Sequence, residues 1–285
     1  MASVVAQTFT DWEILVVDNA SQDHTRKVVE EFKRIPIQYI RHESNRGGAV
    51  ARNTGITHSQ SEYIAFLDDD DEWLPGKLEA QINVFEHSSP QVGAVYTGHR
   101  NVNRETGETT GIWKPLKRGK IYEELMKKNW VSTTSSVVLR RECLEKVGTF
   151  DERLPSFQDY DLWIRIAKEY AFEYVDGSLV TYYEHGEKIW KNHGALEKGI
   201  DLIVEKYGHS AELRKNFSYQ YLGLGERYLM DGDMQKGREL LRKGMKLYPY
   251  EMKHYLNWGT SLLGCQMFRT SHRIKQACGK WLKKT

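Results

Sequence analysis

Short apolar runs that stop at polar or acidic residues recur through the first two thirds of the chain, each followed by a stretch with helical spacing. "WEILVVDN" is the first, and its unbroken apolar centre predicts a buried parallel strand. "SQDHTRKVVEEFKR" predicts a helix, with Ser21 placed to cap it and Asp23 in its first turn. "IQYIRH" then reads as a strand, "GGAVARNTGITHS" as a helix and "EYIAFLD" as a strand. "PGKLEAQINVFEHS" predicts a helix entered through Pro75, with Leu78, Ile82 and Phe85 on one face. "VGAVYTG" closes the series as a strand. This order predicts an α/β fold, a mainly parallel sheet flanked by helices, with ligands bound beyond the carboxyl ends of its strands.

After about residue 98 the pattern loosens. "TTSSVVLRRECLEKVGTFDERL" predicts a strand, a short helix and a loop, "DYDLWIRIAKEY" a helix, and "LVTYYEH" a strand. In the helix, Leu162, Trp163 and Ile166 are core candidates; Trp113 and Trp130 suit either sugar stacking or packing. From Lys191 onward the strand signal is lost. Helices there are separated by a tight turn at Gly232–Asp233 and a break at Pro249, in a pattern that resembles one tetratricopeptide unit. The chain therefore divides into a catalytic region, 1–190, and a helical C-terminal region, 191–285.

Charge and composition narrow the classes. The net charge of +2 over 285 residues gives no global case for nucleic-acid binding. The basic end, "HRIKQACGKWLKKT", suits peripheral contact with an anionic membrane face. Three well-separated cysteines form no disulfide framework or metal spacing, which points to a reducing cytoplasm. No apolar stretch is long enough to span a bilayer.

The chemistry gathers at two strand ends. Asp18 and Asn19 close the first strand, and Asp68, Asp69, Asp70 and Asp71 close the third. Carboxylates clustered after a buried strand repel one another unless a cation answers them. Mg²⁺ or Mn²⁺ takes one or two protein carboxylates, water and substrate phosphate oxygens. "DDDDEW" lacks the spacing and glycine of a calcium loop, so a metal shared with a diphosphate fits better.

"AQTFTDWEILVVDNASQDHT", "NRGGAVARNTG", "YIAFLDDDDEWLPGKL", "VGTFDERL" and "QDYDLWIRI" stand in the order and spacing of family 2 glycosyltransferases, which the chain resembles over approximately Ser3 to His185. The resemblance implies the GT-A fold and inverting transfer of a sugar from a nucleotide donor, with a UDP- or dTDP-sugar favoured. It implies a glycan or lipid-linked glycan as acceptor. "LDDD" looks like the family's D-x-D motif: Asp70 binds the metal, while Asp68 and Asp69 reach the ribose or the metal's waters. Asp18 matches the acid that contacts the base, and Asn19 replaces a second acid. Arg52 stands where the family has a donor-side arginine, and His185 where many relatives carry a histidine near the metal. Asp159 matches the aspartate that takes the acceptor's proton, with Gln158 in place of the usual glutamate. That neutral neighbour is expected to lower Asp159's proton affinity and leave a weaker base. Asp161 is expected to be structural.

Relatives begin with a strand and loop ahead of the helix whose tail resembles "MASVVAQTF". The expectation is therefore a missing central strand, with backbone groups left unpaired and the activity of these residues alone in question. A nucleotidyltransferase is the second enzymatic reading, although no glycine-rich loop with arginine and lysine is present to embrace a triphosphate. A nucleotide-sugar-binding remnant is the non-enzymatic one.

Overall fold

A computed structural model describes residues 1–32, 35–184 and 192–272. They fall into two compact units, Met1–Lys188 and Ile189–Thr285.

In the first unit the chain runs α1 (Ala2–Val5), β1 (Ile14–Asp18), α2 (Thr25–Glu31), β2 (Ile37–Arg41), α3 (Gly48–His58), β3 (Tyr63–Ala65) and β4 (Asp71–Trp73). It continues with α4 (Lys77–Glu86), β5 (Val92–Asn103), β6 (Thr109–Trp113), α5 (Tyr122–Lys127), β7 (Val137–Arg140), α6 (Arg141–Val147), α7 (Gln158–Glu169) and β8 (Ala171–Glu184). β1 and β2 form a parallel pair of their own, and a six-stranded sheet has the order β3-β7-β5-β8-β4, with β6 on β5.

The α/β architecture is as expected, but the pairing is more mixed than a mainly parallel sheet. β5–β8 is a long parallel ladder, whereas β7 enters antiparallel between β3 and β5. β3 and β5 still run the same way, as successive strands of a βαβ series do, but are not neighbours. The acidic run also divides. Asp68–Asp70 occupy a turn closed by the Asp71 N–H on the Asp68 carbonyl at 3.1 Å, and Asp71 begins β4, antiparallel to β8. The α2 helix starts later than its composition suggests. The Ser21 N–H turns back to Asp18, and Asp23 accepts from the Thr25 N–H at 2.9 Å instead.

The core lies where helical and strand periodicities meet. Leu78, Ile82 and Phe85 of α4 are buried against Val95, Val138 and Val180 of the sheet. Leu162, Trp163 and Ile166 are fully buried as expected. Trp113 stacks on His99, and the Trp130 ring meets the ammonium groups of Lys117 at 5.2 Å and Lys128 at 4.7 Å.

In the second unit, α8 (His193–Tyr207), α9 (Ala211–Asp231), α10 (Met234–Leu247) and α11 (Met252–Leu262) follow one another. Gly232, at φ +102, ends α9 in the left-handed region, and Asp233 caps α10 by accepting from the Lys236 N–H. The α9–α10 crossing is close because both sides use glycine: a Cβ on Gly237 would sit 2.5 Å from Leu229 Cγ. Among the described residues no helix is long and apolar enough to cross a membrane.

Candidate active site

Asp18 ends β1 with its side chain buried. Its carboxylate accepts from the Tyr39 hydroxyl, from Arg41, and from the Ser21 N–H at 2.7 Å. Burial alone raises the pKa of such a group; the Tyr39 and Ser21 hydrogen bonds and the Arg41 charge outweigh it and lower the pKa to about 2. Asp18 is therefore a fixed anion tying the carboxyl ends of β1 and β2 together.

Asn19 is equally engaged. Its Oδ1 accepts from the Arg46 N–H at 2.9 Å and lies 3.0 Å from His42 Nδ1, while its Nδ2 donates to Asn45 Oδ1 at 2.9 Å. His42 Nε2 in turn meets Thr54 of α3 at 3.0 Å. The amide thus holds the loop that leads into α3. Sequence reading missed His42 and Asn45, since neither belongs to a strand-end acidic pair.

Gly47, at φ +88, precedes helix α3, which carries Arg52 one turn in. A Cβ on Gly48 would lie 3.1 Å from Arg52 Nη1 and 3.7 Å from Gln158 Oε1, so the glycine leaves room for the arginine's seat. Arg52 Nη2 donates to Asp68 Oδ1 at 2.6 Å, and Nη1 to Gln158 Oε1 at 3.2 Å. Its neighbour Asn53 grips the backbone of Phe150 through both amide functions, and the Arg52 guanidinium lies 5.6 Å from the Phe150 ring.

Asp68 is also held from behind. Its N–H donates to Ser135 Oγ at 3.1 Å, and the Ser135 carbonyl accepts from Trp73 Nε1 at 2.7 Å. Ser135 sits in a buried turn of 3₁₀ helix, Thr134–Ser136, before β7. A serine in "TTSS" carries no signal of this role, because the contact crosses more than sixty residues. Asp69 is exposed and Asp70 half-exposed in the turn beyond Asp68.

Asp159 stands at the second position of α7, after Phe157, which adopts left-handed backbone at φ +61. Its Oδ1 accepts from the Tyr160 N–H at 2.8 Å. Burial pushes the Asp159 carboxyl above the usual carboxylate range, against the pull of the Tyr160 N–H and the Arg52 charge, and Asp68 adds to the rise. The expected effect of the neutral Gln158 is a separate, downward one; the net shift of Asp159 is upward because burial dominates it. Asp161 is structural as expected. It pairs with Arg165 at 2.9 Å, and Arg165 donates to the carbonyls of Val147, Gly148 and Thr149, fixing the loop that bears Phe150.

Arg52 therefore brings together Asp68, Gln158 and Asp159 at one place, with Asp69 and Asp70 on the adjoining turn. Asp18 and Asn19 stand at the end of β1, linked to α3 through His42 and Thr54. His185 lies outside the described residues. Among those residues no three acidic, histidine or cysteine side chains are gathered as a ready cation cage. The set of hard carboxylate oxygens at Asp69 and Asp70 does fit Mg²⁺ or Mn²⁺, which needs one or two protein carboxylates when phosphate and water complete the shell.

Residues 1–148 match the family model described as glycosyl transferase family 2. A relative in Escherichia coli, UDP-Glc:alpha-D-GlcNAc-diphosphoundecaprenol beta-1,3-glucosyltransferase WfgD, is 33% identical over 169 residues, 59% of this chain and 63% of that protein. Among solved structures, S. aureus TarS 1–349 in complex with UDP has a TM-score of 0.57 at 16% identity, covering 95% of this chain and 86% of that one. The mannosyltransferase PcManGT of Pyrobaculum calidifontis, in complex with GDP-Man and Mn²⁺, has a TM-score of 0.52 at 19% identity, covering 94% and 80%. At these identities the structural likeness shows the fold, which is the GT-A type that the sequence resemblance implies.

Proposed function

Because the chain belongs to glycosyl transferase family 2, we propose that it moves a sugar from a nucleotide-diphosphate donor to a hydroxyl of a glycan or lipid-linked glycan, with inversion at the anomeric carbon. The observation that carries this reading is the double hydrogen bond of Arg52, which joins the acidic turn at Asp68 to the Gln158–Asp159 helix start. Donor-side and acceptor-side carboxylates then share one site.

The proposed roles are those the family resemblance implies, and the contacts of each residue support them. Asp18, its side chain buried between Tyr39 and Arg41, and Asn19, held by His42 and Asn45, would fix the β1 end as a rigid rim for the donor's base. Arg52 faces the diphosphate with a fixed positive charge, and Asp68 is oriented by Arg52 and Ser135. Asp70 would be the principal ligand for Mg²⁺ or Mn²⁺, and Asp69 would reach the ribose or the metal's waters. That ion, when bound, supplies Lewis-acid neutralisation of the departing diphosphate. Asp159 takes the proton from the acceptor hydroxyl. The hydroxyl oxygen bonds to the anomeric carbon as the bond to the diphosphate oxygen breaks, and the electron pair leaves with the nucleoside diphosphate.

The named donor and acceptor of the Escherichia coli relative, UDP-Glc and a diphosphoundecaprenol-linked sugar, support a UDP-sugar donor and a lipid-linked acceptor. The experiment is a donor panel with the purified chain and Mn²⁺. Nucleoside diphosphate released with acceptor-dependent transfer supports the proposal. Pyrophosphate release supports a nucleotidyltransferase instead, and donor binding without turnover supports a binding remnant.

A further inference from the structure

From β6 into the segment that follows, residues 112 to 120, exposure alternates with period two. Ile112 and Leu116 are 64% and 63% exposed, and Lys114, Arg118 and Lys120 are exposed beside them. The intervening residues pin the segment to the protein. Trp113 stacks on His99 with ring centroids 5.5 Å apart, and Pro115 is buried. Tyr96 Oη donates to the Lys117 carbonyl at 2.6 Å and accepts from its N–H at 3.1 Å. Gly119 exchanges two backbone hydrogen bonds with Phe172, at 2.6 and 2.9 Å.

One side of this strap is thus fixed, and the other shows aliphatic and cationic side chains in turn with no acidic residue among them. Arg118 is drawn partly back, 3.8 Å from Glu173 and 4.3 Å from the Tyr174 ring. Lys114 and Lys120 make no ion pair among the described residues. The sequence from Ile112 to Trp130 holds six cationic residues and two acidic ones, Glu123 and Glu124.

We infer that this strap docks the protein on an anionic lipid surface, Ile112 and Leu116 entering the headgroup boundary while Lys114, Arg118 and Lys120 meet lipid phosphates. Exposed aliphatic groups gain by leaving water, and each cation near an anionic leaflet adds a comparable increment. A partner that offers only negative charge gives Ile112 and Leu116 nothing to enter, which is why the apolar–cationic alternation favours a bilayer. The inference goes beyond the transfer reaction and does not depend on it, because binding is measured without donor or acceptor.

The test is co-sedimentation of the full chain with phosphatidylcholine vesicles, with and without phosphatidylglycerol, alongside retention on soluble dextran sulfate. The parent should pellet only with the anionic vesicles. Lys114→Gln with Lys120→Gln should lower partitioning about 25-fold, roughly fivefold per lysine. Ile112→Thr with Leu116→Ser should lower it by about tenfold or more while leaving dextran sulfate binding unchanged. Circular dichroism melts matching the parent's establish that each variant is folded. A parent that stays in the supernatant overturns the inference. So do variants that pellet like the parent, which assigns binding to another surface. Aliphatic variants that keep full vesicle binding while the lysine variants lose both ligands point to an anionic polymer instead of a membrane.

Discussion

The guanidinium of Arg52 lies 2.6 Å from the Asp68 carboxylate, an ion pair about three-quarters shielded on the arginine side. Its second nitrogen is occupied by Gln158. A planar fork satisfies both partners at once, whereas an ammonium is a single point of charge. Arg52→Ala should lower kcat/KM by about 100-fold or more, since it leaves a half-buried carboxylate without its cation. Arg52→Lys should recover only part of that loss. Steady-state kinetics with thermal melts separates this from general destabilisation.

The raised pKa of Asp159 sets a pH dependence. The proposed role as base requires Asp159 deprotonated, so on that proposal kcat/KM should fall with falling pH through a limb placed above the ordinary carboxylate range. Arg52 pulls that pKa down, so Arg52→Gln should move the limb to higher pH. A pH–rate profile of both proteins checks the sign, and an unmoved limb argues that another group titrates.

Asp18 predicts the opposite trend in stability. Its folded pKa of about 2 lies below the unfolded value, so its contribution is present near neutrality and lost as pH falls toward that value. The loss should be about 1–2 kcal/mol. Tyr39→Phe removes one of the hydrogen bonds responsible and should shrink it. Urea unfolding at stepped pH values measures both.

Lys77 is fully buried at the start of α4, its Nζ without a hydrogen-bond partner among the described residues and 4.1 Å from the Trp73 ring. Burial holds its pKa well below the usual lysine value. The unfolded chain therefore takes up a proton that the folded one resists, and stability should rise with pH toward the ordinary lysine pKa. Lys77→Met should flatten that rise and stabilise the fold near neutrality by about 1 kcal/mol or more. Melting temperature against pH provides the check.

What the sequence made legible was local. The apolar run ending in Asp18, the helix start at Gly48 and the amphipathic helix behind Asp159 each follow from periodicity within a dozen residues. So did the structural role of Asp161, which is answered by Arg165 one turn away on the same helix. Hidden features depend on partners far along the chain. β4 is three residues long and exists because β8 lies beside it, and the insertion of β7 between β3 and β5 leaves no mark on any of the three sequences. Ser135 behind Asp68 and His42 beside Asn19 are likewise chosen by folding. Helical or strand periodicity reports which face of an element is buried, never which remote hydroxyl or imidazole will meet it.

Donor binding measured together with turnover in Asp159→Asn and Asp70→Ala tests most directly whether one cleft holds both the donor's metal and the base. Donor titration with and without Mn²⁺ should leave Asp159→Asn close to the parent in affinity while transfer falls by about 100-fold or more. Asp70→Ala should lose the Mn²⁺-dependent part of binding. Equal loss of binding and turnover in Asp159→Asn, or Mn²⁺-dependent binding that survives in Asp70→Ala, contradicts a single cleft with a metal-bound donor on one wall and a base on the other.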